Sequence, residues 1–142
     1  MPFFSKEENE KIKSAIQTAE HETSGEIRVC VEKNCRISPI KRAGYFFRKL
    51  EMDSTTHHNG VLIYIAYGNR KFAIIGDREI HRHTGPQFWE DSKNLMNTHF
   101  KDAAICDGVI AAIKQVGHQL KEHFPSQKGD SNELPDDVYE AD

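Results

Sequence analysis

Three carboxylates, Glu26, Asp77 and Asp107, and four imidazoles, His57, His58, His81 and His83, are the side chains of this sequence best suited by type to do chemistry. Carboxylates converging from separate loops are what a hard cation such as Ca2+ or Mg2+ requires, because it takes oxygen ligands. The expected strand directions supply that convergence. Glu26 opens one strand, His57-His58-Asn59 precede a second that runs parallel to it, and Asp77 closes a third that runs the opposite way. One rim of the sheet therefore collects them, with Glu79, His81 and His83 just beyond. Asp102 or Asp107, near the start of a later helix, is expected to join. Glu26, Asp77 and Asp107 form the expected metal-ligand set.

Each acid also has a plain structural reading. A Glu at a strand start is usually solvated, an Asp after Gly76 suits a turn, and Asp107 makes a good helix N-cap. Their coincidence on one rim is what favours the metal. The histidines read differently. His57-His58 and His81-x-His83 lack the i,i+4 spacing of a helical zinc pair, and no cysteine accompanies them, so they are surface loop residues. His118 and His123 fall on the last helix, exposed or near its C-terminus. No G-x-S-x-G, P-loop or G-x-G-x-x-G occurs, nor a nucleophile with a base beside it.

The elements that must position these groups centre on Asn59 to Ile80, NGVLIYIAYGNRKFAIIGDREI. Val61 to Tyr67 is an unbroken apolar run, the pattern of a strand covered on both faces. Gly68-Asn69-Arg70 supplies turn chemistry, because Gly and Asn tolerate positive φ. Phe72 to Ile75 then returns as the second arm of a hairpin. Upstream, Ser5-Lys6-Glu7-Glu8 is a capping box opening a first helix with Ile12, Ala15, Ile16 and Ala19 on one face, and Thr23-Ser24-Gly25 ends it. Glu26 to Glu32 alternates as a strand. Ser38-Pro39 starts a second helix with Ile40, Ala43, Phe46, Phe47 and Leu50 expected on one apolar face. Strand, helix, strand over this distance is a βαβ unit, so the strands at Glu26 and Val61 are expected to be parallel, the second central.

Gly85-Pro86 is expected to open a third helix with Phe88, Ser92, Leu95 and Met96 inward, Trp89 belonging to the core. Asp107 is expected to cap a fourth, which buries Val109 to Phe124 at helical spacing until Pro125 stops it. The order α-β-α-β-β-α-α predicts an α/β fold, a mixed sheet sandwiched between helices in a Rossmann-like way. Residues 1–125 form the expected domain. Residues 126–142, with six acids against one Lys, read as a flexible tail.

A chain of 142 residues with 29% charged and 37% apolar composition suits one soluble domain. Its net charge of -3 argues against nucleic-acid binding, which normally needs a basic excess. No run reaches the ~18 apolar residues of a membrane span. The opening MPFFSKEENE lacks the pattern of a signal peptide. Cys30, Cys35 and Cys106 form no even framework. These features lead to the expectation of a cytoplasmic monomer.

Four blocks in order resemble a known family: Ser24-Gly25-Glu26-Ile27-Arg28-Val29, Asn59 to Ala66 (NGVLIYIA), Arg70-Lys71 to Gly76, and Phe100-Lys101 through Asp107-Gly108. Together they look like the TPM domain, over roughly residues 5 to 124. That family takes in a plant thylakoid-lumen protein, photosystem II repair factors and a worm receptor modulator. His123-Phe124-Pro125 followed by Asn132-Glu133-Leu134-Pro135-Asp136 is similar to the ending of short, soluble bacterial members, which implies a tail that docks more than its composition suggests. The resemblance implies an α/β sandwich with a Ca2+ or Mg2+ site in loops on one sheet edge, and the carry-over falls on Glu26, Asp77 and Asp107. Acid phosphatase activity is attributed to the plant branch. Unlike in many members, neither a signal peptide nor a membrane anchor is expected here, and the polar stretch Asp77-Arg78-Glu79 after Gly76 departs from the family's pattern.

The function expected is therefore divalent-cation binding, with its biological role open. The alternative is a metal-dependent acid phosphatase, in which the cation lowers a water's pKa and Arg78, Arg82 or a rim histidine holds phosphate. A third is a protein adaptor using the acidic tail or an exposed aromatic. Three carboxylates with no nucleophile favour binding over turnover.

Overall fold

The computed structural model describes residues 3–85, 87–101, 104–126 and 133–141. A four-stranded mixed sheet of order β3-β2-β1-β4 lies between two layers. Its strands are β1 (Glu26–Glu32), β2 (Gly60–Ala66), β3 (Lys71–Gly76) and β4 (Tyr139–Glu140). The helices are α1 (Lys6–Glu20), α2 (Pro39–Lys49), α3 (Arg78–His83), α4 (Glu90–Lys101) and α5 (Ile105–His123), with a 3-10 turn at Met52–Ser54.

β1 and β2 run parallel, with Glu26 opposite Gly60 and Glu32 opposite Ala66, and β3 returns antiparallel from β2. All seven residues of β2 are buried, as its unbroken apolar run requires. Odd positions of β1 and β2 (Ile27, Val29, Val61, Ile63) join one core with Ile12 and Ile16 of α1 and Val109, Ile113 and Leu120 of α5. Even positions (Cys30, Leu62, Tyr64) form a second core with Ala43, Phe46 and Phe47 of α2. Trp89 and Phe88 belong to the first core. β1 is covered on both faces too, with only Arg28 half-buried.

One ionic contact fixes α2 to the sheet. Glu32, 5% exposed, accepts from Arg42 Nε at 2.7 Å and Nη2 at 3.0 Å, and from the Tyr64 hydroxyl. Burial alone would push this carboxyl up, but the Arg42 and Tyr64 hydrogen bonds outweigh it and hold the acid below its usual range.

The Ser5–Glu8 capping box forms reciprocally, at 3.1 and 3.0 Å. Ser38 makes no side-chain cap at α2, where Pro39 alone marks the start; Leu50 stands just past its end, and Ile40, expected on the apolar face, is instead exposed because the buried stripe runs through Ala43, Phe46 and Phe47. In the hairpin, positive φ falls on Arg70 rather than on Gly68 or Asn69. Gly68 is required for space instead: a Cβ there would lie 2.5 Å from the Lys33 carbonyl oxygen.

Three expectations need correction. The stretch after Asp77 is a helix, α3, with Asp77 as its N-cap. α4 starts at Glu90, several residues beyond the expected opening at Gly85-Pro86; Pro86 lies outside the described residues. Asp107 does not cap α5. Ala104 holds that position without a side-chain bond, and Asp107 sits exposed in the first turn. The described part of the acidic tail is docked. β4 pairs parallel with β1 through Cys30–Tyr139 and Val31–Glu140, and the Phe3 N–H donates to the Glu140 carboxylate at 3.0 Å.

Candidate metal site

Glu26, Gly60 and Asp77 form one row across three strands. Glu26 is paired with Gly60, and the Asp77 N–H donates to the Gly60 carbonyl at 2.9 Å. Two of the three expected ligands are thus brought to one rim. Asp107 is not. The C-terminal end of α5 stands at this rim: the Ser24 N–H donates to the Phe124 carbonyl at 3.0 Å, and Leu120 packs against Gly25. Asp107 precedes Leu120 by about 13 residues, roughly 20 Å of α-helix. Asp102 lies outside the described residues.

Glu26 is 3% exposed. Its Oε1 accepts from the N–H groups of Leu134 at 2.6 Å and Glu133 at 2.7 Å, so the docked tail closes over it. Burial pushes this carboxyl up, and the two N–H donors pull it partly back. The Glu133 carboxylate in turn accepts from the Thr56 N–H and hydroxyl, each at 3.1 Å. Glu20, at the end of α1, accepts from the Ile27 N–H at 2.8 Å. Its carboxyl is pushed up to about 10, by burial first and then by its hydrogen bond with Asp136, with Asp136 and Glu26 charges adding to the effect.

Asp77, 9% exposed, uses Oδ1 to accept from the Arg78 N–H at 2.7 Å. Its Oδ2 is buried without a hydrogen bond and has only His58 Nδ1 at 3.5 Å. Two neutral oxygens near the start of β2 are in the same condition. Asn59, 1% exposed, donates to Ser24 Oγ at 3.1 Å but leaves Oδ1 unpartnered, and Thr55, 3% exposed, leaves Oγ1 unpartnered. A buried oxygen without a donor costs about 1–3 kcal/mol.

The histidines divide. His58 adopts φ 50, its carbonyl accepts from the Glu79 N–H at 3.1 Å, and its ring faces Asp77. His83 and Arg82 pair with Glu79 along α3, at 3.6 and 3.7 Å. His118 pairs with Glu122, and the His123 ring lies edge-on to Phe88. Among the described residues, no group of three or more His, Cys, Asp and Glu side chains is assembled as a metal cage. Asp77 Oδ2, Asn59 Oδ1, Thr55 Oγ1 and Glu20 Oε1 are each buried without a hydrogen bond. That donor set fits a hard cation.

Sequence reasoning reached Glu26 and Asp77 but missed the acids of Glu20, Glu133 and Asp136. Glu20 stands in no motif, and the others fall in the acidic tail that composition marks as solvated. The Asn132-Glu133-Leu134-Pro135-Asp136 stretch was the one signal that could have found them.

The fold is a mixed α/β sandwich, and that is the class of protein the structure defines. The TPM domain family model matches residues 2–119, and the chain belongs to that family. It is similar to the BA42 protein of the psychrophilic bacterium Bizionia argentinensis, at 38% identity and a TM-score of 0.93, covering 99% of this chain and 97% of that one. The N-terminal domain of the cg2496 protein from Corynebacterium glutamicum shares the fold, at 13% identity and a TM-score of 0.67 over 83% of this chain and 74% of that one. No curated protein matches the sequence.

Proposed function

We propose that this protein binds a divalent cation, Ca2+ or Mg2+, at the rim where β1 and β2 begin and β3 ends, and that it does so in the cytoplasm as a monomer. Asp77 supplies the principal charge, Glu26 a second carboxylate, and Asn59 and Thr55 neutral oxygens. The observation that carries this reading is the buried Asp77 Oδ2 without a hydrogen bond, accompanied by equally unsatisfied oxygens on Asn59 and Thr55. A hard cation takes oxygens of these types, and one bound beside Asp77 would supply the partner that its Oδ2 lacks. Mixed carboxylate, amide and hydroxyl oxygen suits Ca2+ better than Mg2+, which keeps more of its own waters. Asp107 stands outside the proposed set.

Thermal melting tests it, with chelator and with millimolar Ca2+, on the wild type, Asp77→Asn and Asp107→Ala. A bound cation adds RT ln(1 + [L]/Kd), about 2.7 kcal/mol at a hundredfold excess over Kd. The wild type and Asp107→Ala should melt higher with Ca2+, and Asp77→Asn should lose most of that gain. A wild-type melting temperature indifferent to cations would reject the site.

A further inference from the structure

Away from the rim, one segment differs in charge from the rest of the molecule. Residues 33–49 carry Lys33, Arg36, Lys41, Arg42, Arg48 and Lys49, six of the chain's 19 basic residues and none of its 22 acidic ones. The rest of the chain is therefore strongly acidic. The same segment holds the exposed large hydrophobic residues of the described chain: Ile37 at 50%, Ile40 at 64% and Tyr45 at 43%.

Part of this set shares one face of α2: Lys41 and Tyr45 follow at i,i+4, and Ile40, Gly44 and Arg48 make the adjacent row, while Ile37 directly precedes the Ser38 N-cap. The helix buries Ala43, Phe46 and Phe47 on the other side. The surface is also rigid. Arg42 is committed to Glu32, which ties α2 to β1, and Phe46 stacks on Tyr64 at 5.9 Å. Lys33, Arg36, Lys41 and Arg48 remain exposed.

A convex helix bearing separate apolar side chains among long cations matches a soft, planar, anionic surface. Aliphatic and phenol groups enter between headgroups, while lysine and arginine stems lie along them and their charges meet phosphates. A folded acidic protein would need a concave counterpart to bury those separated side chains. No helix of the described chain is long and apolar enough to cross a membrane, so the contact would be peripheral. We propose that α2 and the residues leading into it dock this protein on an anionic lipid bilayer, with the acidic remainder turned towards water. The opposed charges of the two sides set that orientation.

The test is co-sedimentation of the intact protein with phosphatidylglycerol-rich vesicles and with pure phosphatidylcholine vesicles, at low and high salt. The wild type should bind only the anionic vesicles, and salt should release it. Lys41→Glu/Arg48→Glu and Ile37→Ser/Ile40→Ser each alter exposed side chains, so both variants should keep the wild-type melting temperature. Each should lower partitioning roughly tenfold or more. The Tyr45→Trp variant should show a blue shift of its emission on adding anionic vesicles, beyond any change in the wild type, whose Trp89 is buried. No binding at low salt, equal binding by Lys41→Glu/Arg48→Glu, or a Tyr45→Trp emission maximum that does not move would overturn the proposal. Binding that survives Ile37→Ser/Ile40→Ser and is fully displaced by polyglutamate would overturn it in favour of an acidic protein partner.

Discussion

At the scale of single residues, burial decides what each carboxylate can do. Glu20 is the clearest case, because its carboxyl rises from 4.5 to about 10 on folding. A raised folded pKa gives stability that is fully present below the unfolded value, near pH 4.5, and is lost as pH rises through about 10. Burial and the hydrogen bond with Asp136 therefore favour a proton on Glu20 at neutral pH. Glu20→Gln keeps an oxygen for the Ile27 N–H and offers an amide donor to Asp136 without that proton. In chelator, the variant should match the wild type at about pH 4 and exceed it by about 1–2 kcal/mol at about pH 8. Melting temperatures across that range are the measurement, and parallel curves would remove the protonated Glu20. Asp77 shows the opposite use of burial. Its Oδ1 is spent on capping α3, and Oδ2 is left for another partner.

At the scale of elements, the rim depends on how closely α1 and α5 approach, since Glu20 ends one and Leu120 sits near the end of the other. Gly117 sets that approach: a Cβ on it would fall 2.6 Å from Ala19 Cβ. Real Cβ atoms do not come so close, so Gly117→Ala must push the two helices apart. Overpacking of this kind costs about 1–3 kcal/mol. Denaturant melts should show that loss, and amide shifts should move at Gly25 and Glu26 as Leu120 is displaced. An unchanged midpoint would mean that the helices separate freely. The docked tail is the second element-scale device. β4 extends the sheet beyond β1, and the N–H groups of Glu133 and Leu134 shut one side of Glu26.

At the scale of the whole molecule, the faces are assigned to different tasks. The rim gathers acids and unsatisfied oxygens, whereas the outer side of α2 gathers cations. The hydroxyl that meets a carboxylate near the rim is Thr56, on Glu133, and that carboxylate also accepts from the Thr56 N–H, an anchoring contact rather than the activation of a nucleophile. Purified protein with Ca2+ or Mg2+ should therefore turn over little of a generic aryl phosphate. Robust metal-dependent hydrolysis that disappears in Asp77→Asn would promote the phosphatase reading.

The sequence by itself determined the framework. An unbroken apolar run of this length, rich in β-branched residues and ended by Gly68-Asn69, reads as a strand covered on both faces, which made β2 central, and the helix between Glu26 and Val61 favoured parallel β1 and β2. Those two inferences were enough to place Glu26 and Asp77 on one rim. Local chemistry was legible too, in the Ser5–Glu8 capping box and in Pro39 at the start of α2. Tertiary structure decided the rest, because it turns on which end of a long element meets which edge. Helical periodicity shows the buried face of α5 but not its position along the sheet, so Asp107 was assigned to the wrong end. Composition marks 126–142 as acidic and solvated, yet the β1 edge offers unpaired backbone groups to residues 139–140, and Glu26 offers an acceptor to Glu133 and Leu134. Those long-range hydrogen bonds, which no local pattern encodes, bring the tail's acids to the rim, where Asp136 adds to the rise that burial gives the Glu20 carboxyl.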